Sequence, residues 1–149
     1  MKSKSYIDAI CVSDTKGTVK TPIKKAMFVK GHGIQGDAHA GNWHRQVSLL
    51  AGESIDRMKR KMPEINRGAF AENIITRNLD TKSIKVGCIL CVGREILLKV
   101  IQIGKDCHHG CAIKQKTGEC IMPAEGIFAE VIQGGSAKPG DPIKIFTCP

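Results

Sequence analysis

The chain has 149 residues, 42% hydrophobic and 25% charged, the balance of a single soluble globular domain (1–149) able to close one core. Twenty-three Lys and Arg against fourteen Asp and Glu leave a formal net charge of +9, a surplus that draws anions in general and names none. Aromatic residues make up only 4%, with Trp43 and Tyr6 the sole Trp and Tyr, which argues against a stacking platform for nucleic-acid bases.

From the N-terminus, MKSKSYIDAICVSD has basic residues but no sustained apolar run between Asp8 and Asp14, so nothing reads as an export signal. No stretch approaches the roughly 20 apolar residues of a membrane span. An odd number of cysteines, seven, without an export signal fits the reducing cytoplasm, where clustered thiols serve catalysis or metal binding more than disulfides.

IDAICVS (7–13), AMFVK (26–30), RQVSLL (45–50) and ENIIT (72–76) read as short strands. After Gly52, Ile55, Met58 and Met62 recur at helical spacing. Glu53 and Asp56 lie in the first turn and Arg57, Lys59, Arg60 and Lys61 later, the charge order that suits a helix dipole, with Pro63 as the stop. That basic cluster reads as a solvated helix face. Ile84, Val86, Cys88, Leu90 and Val92 alternate over 83–92, Gly93-Arg94 turns the chain, and 95–103 continues as a second strand. GIFAEVIQGG (126–135) and GDPIKIFTC (140–148) complete the set. Many short strands, glycine-rich turns and one or two short helices predict a mainly β protein folded as a barrel.

Two stretches carry chemistry. In GHGIQGDAHAGNWHRQVSLL (31–50), Gly31, Gly33, Gly36 and Gly41 could present backbone N–H groups to an oxyanion, with His39, His44 and Arg45 as side-chain donors. Tight turns at a barrel rim explain the glycines equally well. Neither nucleotide-binding glycine motif is present in proper form.

GKDCHHGCAIKQKTGEC (104–120) packs Cys107, Cys111 and Cys120 with His108, His109, Lys105 and Lys114. Three chemistries compete there: a zinc site, a reactive thiol, or a sulfur-lined pocket for an anionic cofactor. Zinc finds only one short Cys–Cys gap, and the C-x-x-C of Cys88 and Cys91 lies on a predicted strand, where residues three apart face opposite sides. Imidazoles and lysines around Cys107 and Cys111 favour thiolate, the nucleophilic and metal-binding form. Cys11, Cys88, Cys91 and Cys148, in or beside strands, read instead as small buried hydrophobes. A zinc-stabilised basic module that binds nucleic acid is a rival reading, weakened by the scarcity of aromatics.

Taken in order, GIQGDAHAG, HRQVSLL, FAENIIT, VGCILCVG, CHHGCAI, CIMPAEGIFAEVIQGG and KPGDPIKI resemble the MOSC family, named after the C-terminal domain of molybdenum cofactor sulfurase. The resemblance runs from about Ile7 to Ile145 and looks like a stand-alone bacterial member. It implies a closed, pyruvate-kinase-barrel-like β-barrel and a role with molybdenum cofactor (molybdopterin) or with sulfur. A cysteine of the family ligates molybdenum or carries sulfur as a persulfide, and that cysteine falls on Cys111. Cys107 would be a second carrier or a resolving thiol, and His108 or His109 could hold the thiolate or move a proton. Asn73 resembles the asparagine of an Arg-Pro-Asn stretch that contacts the cofactor in reductase relatives. Ala71-Glu72 stands in place of Arg-Pro, which makes Arg67 or Arg77 the candidate arginine contact. Lys114, with His39, His44 and Arg45, would meet the cofactor's phosphate. The implied partner is a pyridoxal-phosphate-dependent cysteine desulfurase or, if the protein is instead a reductase of N-hydroxylated substrates, a separate electron donor.

Overall fold

A computed structural model describes residues 4–16, 18–104 and 121–149. Eleven strands and two α-helices are present among them: β1 (Tyr6–Val12), β2 (Thr21–Ile23), β3 (Ala26–Val29), β4 (Gly33–Ile34), β5 (Val47–Ala51), α1 (Gly52–Lys59), β6 (Ile74–Arg77), β7 (Ile89–Val92), β8 (Ile96–Ile103), α2 (Ile121–Glu125), β9 (Ile127–Gln133), β10 (Gly135–Ala137) and β11 (Ile143–Thr147). Eight strands form one mixed sheet in the order β11-β7-β8-β9-β5-β6-β1-β2, and β10-β3-β4 form a second. Pairing is antiparallel except between β5 and β6, whose connection passes through α1 and so can return the chain in the same direction.

The mainly β architecture with short helices matches the sequence reading. Among the described residues closure into a barrel is not seen: the ladder runs from β11 to β2, and the β1 and β11 regions meet there at an isolated bridge, Tyr6 with Pro142.

Adjacent apolar residues in the strands sort into two cores. Leu49, Ile74, Ile127 and Ala129 face one core, shared with Phe28 of β3, Ile34 of β4 and Ala137 of β10. Their neighbours Leu50, Ile75 and Phe128 face a second, filled by Ile55 and Met58 of α1 and Ile121 and Met122 of α2. Strand alternation thus buries both faces of the central strands, one under the small sheet and one under the helices. Helix α1 buries Gly52, Ser54, Ile55 and Met58 and leaves Asp56, Arg57, Lys59 and Arg60 exposed, as its periodicity predicts. Its regular turns end at Lys59, before Met62.

Three sequence expectations need correction. The strand expected over 83–92 starts only at Ile89. Gly87 stands at φ +98, a left-handed conformation that interrupts extended backbone, and Val86 consequently lies exposed. The short strands β2, β4 and β10 lie in stretches without a periodic pattern and were not anticipated. Finally, Cys88 and Cys148 are not separate buried thiols but a disulfide. Antiparallel pairing of β7 with β11 sets Thr147 across from Ile89, so the next residue along β11 arrives opposite Cys88.

Candidate functional site

The loops that follow β1, β4 and α1 converge on a buried polar network. Its centre is Lys20, whose side chain is wholly withdrawn from solvent together with that of Asp37, the two 2.6 Å apart. The ammonium also reaches Ser13 Oγ at 3.1 Å and His39 Nδ1 at 2.9 Å. Asp37 accepts three further bonds, from the backbone N–H of Ser13 (3.1 Å) and of His39 (3.3 Å) and from Asn73 Nδ2 (3.2 Å). A buried charge pair persists only when its remaining donors and acceptors are satisfied, which is the case here. Lys20 is locked by its backbone as well: its N–H donates to Gly68 O at 2.9 Å, and a Cβ on Gly68 would lie 1.9 Å from Lys20 O. Only glycine permits that approach.

Asn73 ties this network to the central sheet. Its Oδ1 accepts the Ser48 N–H at 2.9 Å, and its Nδ2 donates to Cys11 O at 3.0 Å as well as to Asp37. Both amide hydrogens are therefore committed within the protein. Just before it, the Glu72 carboxylate accepts the backbone N–H groups of Gly68 (2.9 Å) and Phe70 (3.0 Å), which fixes the 68–72 turn. Ala71 within that turn adopts φ +62, a conformation that costs a residue with a Cβ about 1 kcal/mol or more. Burial pushes the Glu72 carboxyl above its ordinary value against the pull of these N–H groups. Burial, with the charge of Glu72 second, pushes the Cys11 thiol up to about 12, so this cysteine stays protonated and inert.

Beside the network opens a cleft of about 220 Å³ lined by His39, Trp43, Arg45, Ser48, Phe70, Ala71, Asn73, Met122 and Phe128. One side is apolar. On the other, the Arg45 guanidinium lies 4.9 Å from the ring centre of Trp43 and 5.7 Å from that of Phe128. Two aromatic faces thus hold the cation in place. Its Nε is buried and has no hydrogen-bond partner among the described residues. Trp43 is itself anchored, its Nε1 donating to His39 O at 2.6 Å. A guanidinium lining a half-apolar cleft is the chemistry that accepts a flat, anionic ligand.

The structure therefore brings His39, Arg45 and Asn73 together at the cleft. His44 packs edge-on against Trp43 from the exposed side. Arg67 and Arg77 are held elsewhere: both pair with Asp8, and Arg77 also grips Asp56 at 2.6 Å. In the glycine-rich loop the N–H groups of Gly31, His32, Gln35, Asp37, Ala38, Ala40 and Gly41 all donate to backbone carbonyls. Cys107, His108, His109, Cys111, Lys114 and Cys120 lie outside the described residues. The chain leaves the described structure at Gly104 and re-enters at Ile121, one residue before Met122, a wall of the cleft. Among the described residues, no three His, Cys, Asp or Glu converge to hold a metal ion. No helix there is long and apolar enough to cross a membrane. Sequence reasoning missed Lys20 and Asp37. Asp37 sat within the glycine-rich stretch already singled out, whereas a lone lysine between Val19 and Thr21 carries no signal of burial.

This fold is that of a MOSC domain. The MOSC domain model matches residues 36–144, and the chain belongs to that family, which is associated with molybdenum-cofactor binding. Among solved structures, the chain is similar to the YuaD protein from Bacillus subtilis, with a TM-score of 0.77 and 22% identity over 95% of this chain and 94% of that one. It is also similar to YiiM from Geobacillus stearothermophilus (TM-score 0.69, 20% identity, 96% of this chain and 75% of that one). YiiM from Escherichia coli follows with a TM-score of 0.67 and 19% identity, over 97% of this chain and 70% of that one. At these identities the likeness establishes the fold. A search of curated proteins finds no match.

Proposed function

We propose that the protein binds molybdenum cofactor, or carries sulfur for it, with the cleft taking the anionic pterin and Cys111 supplying the thiolate. The observation that supports this reading is the Arg45 guanidinium, which lines the cleft and is held against Trp43 and Phe128. The residues present fit the group: a fixed guanidinium matches a phosphate or pterin oxygen, the Phe70, Met122 and Phe128 side matches a flat ring, and a thiolate suits a soft metal. When bound, the cofactor would supply a metal centre that takes a thiolate ligand and changes oxidation state. Arg45 would neutralise and orient the anion, Trp43 and Phe128 would keep water from it, and the Lys20–Asp37–Asn73 network would hold the wall rigid.

In the sulfur-carrier form of the reading, the Cys111 thiolate attacks the outer sulfur of a desulfurase persulfide. The donor's S–S bond breaks, its cysteine leaves as thiolate, and Cys111 retains the sulfur as a persulfide. A pyridoxal-phosphate-dependent desulfurase is the partner this step requires, and the cytoplasm is where such chemistry runs. The same reading includes barrel closure, supported by the bonds from Ile7 N–H to Asp141 O (2.9 Å) and from Ile143 N–H to Ser5 O (3.3 Å) between the sheet's β1 and β11 regions.

Elemental analysis and intact mass of natively isolated protein test it. Molybdenum with pterin, or one added sulfur atom, is expected in the wild type and absent from Cys111→Ala. Retention of either by the variant would falsify the assignment.

A further inference from the structure

Cys88 and Cys148 share one bond but sit in opposite surroundings. Cys88 is wholly buried in the core that Leu90, Val100 and Ile143 also enter, whereas Cys148 is exposed. The sheet produces this asymmetry. Strand β7 lies inside the ladder, between β8 and β11, while β11 is its last strand and ends at Thr147, one residue before Cys148.

The turn that leads into β7 adds a second feature. The Cys88 N–H donates to Lys85 O at 3.0 Å, and the Lys85 N–H donates to Cys88 Sγ at 3.3 Å. A hydrogen-bond donor is thus already aimed at that sulfur, and such a bond favours the charged form of the group that accepts it.

Thiol–disulfide exchange depends on which sulfur an incoming thiolate can reach, and the attacked and leaving sulfurs lie in line with it. Attack on Cys88 Sγ would have to come through the core packed around that residue. Attack on Cys148 Sγ comes from the exposed end of the bond. We infer that the Cys88–Cys148 bond is a thiol-exchange site, in which Cys148 takes an external low-molecular-weight thiol and Cys88 is the sulfur that leaves.

The donor's thiolate forms a bond to Cys148 Sγ as the Cys88–Cys148 bond breaks. Cys88 keeps the electron pair as a thiolate facing the Lys85 N–H and then takes a proton from water. A second donor thiolate attacks the first donor's sulfur in the mixed disulfide and expels Cys148 as thiolate. Two donor thiols are thereby oxidised to one disulfide while the protein's disulfide is reduced to two thiols. Exposed disulfides are the labile ones, which suits this bond to exchange in the folded protein. Opening it also frees Pro149, whose ring lies over the same turn, 2.8 Å from where a Cβ on Gly87 would stand. The β7–β8 pairing lies on the other side of β7. None of these steps uses the cleft or Cys111, so the inference is independent of the cofactor reading.

Reduced glutathione is the probe. Folded wild-type protein is mixed with it, quenched in acid at successive times, alkylated in denaturant and sequenced as peptides by mass spectrometry. Early samples should carry glutathione on Cys148 and the alkyl group on Cys88. The reverse placement would overturn the inference. If both thiols are already free at the first quench, single variants treated with oxidised glutathione decide: Cys148 of Cys88→Ser should be modified in the folded chain, and Cys88 of Cys148→Ser only in urea. Equal modification of the two without urea would refute the assignment of roles. The opening rate in wild type should also be insensitive to urea below the unfolding transition. A rate that climbs with urea in step with unfolding, or a bond that glutathione opens only in unfolded protein, would show that the folded state holds no exchange site.

Discussion

Asp37 Oδ1 lies 2.6 Å from Lys20 Nζ, and neither side chain reaches solvent. Removing one partner of such a pair strands the other charge, so Lys20→Met should destabilise the fold by about 3–5 kcal/mol. Combining it with Asp37→Asn should cost less than the sum of the single changes, because the stranded charge is gone. Urea unfolding of the three variants gives the coupling directly. Additive losses would mean that the two side chains act independently.

Asn73 joins Ser48, Cys11 and Asp37 through one amide. Truncation to Ala leaves buried groups unpaired, at about 1–3 kcal/mol for each. The variant should therefore lose stability in proportion to its loss of cofactor binding, as expected of a wall and not of a contact. Unfolding midpoints unchanged alongside weakened binding would instead place the amide on the ligand.

The Glu72 carboxyl is raised by burial, so the native state holds its proton more tightly than the unfolded chain does. Stability from this group is full below the ordinary glutamate value and declines as pH rises through the raised one. The difference in urea midpoint between wild type and Glu72→Gln should therefore shift against the wild type as pH climbs through that window. A shift in the opposite direction would mean that the Gly68 and Phe70 amides outweigh burial.

Cys88 and Cys148 are joined across a sequence separation of 60 residues. Reduction, or Cys148→Ser, should cost about 2–4 kcal/mol by freeing the unfolded chain. Alkylation without reduction followed by peptide mass analysis should recover the two cysteines as one linked species. Finding both alkylated would contradict the pairing.

Where side chains repeat with a period, the fold was legible. Ile55 and Met58 announce α1, and alternation through Ile96, Leu98 and Val100 announces β8, because burial of one face imposes that spacing. Backbone conformation was not: Gly87 stops a strand that apolar alternation alone would continue. Of the site, Arg45 and His39 were visible as donors in a glycine-rich stretch, but the burial of Lys20 depends on Gly68, 48 positions later in the numbering, and no local pattern encodes it. The pairing of Arg67 and Arg77 with Asp8 was not legible either, because this shared acceptor is distant in sequence.

Molybdenum and pterin content after reconstitution of wild type, Arg45→Gln and Arg67→Ala tests the cleft most directly. Wild type and Arg67→Ala should load alike, while Arg45→Gln, without the charge that meets the anion, should bind about tenfold or more weakly, the equivalent of about 1.4 kcal/mol or more for a charge-assisted hydrogen bond. Equal loading of Arg45→Gln and wild type would contradict the assignment of this cleft as the cofactor site.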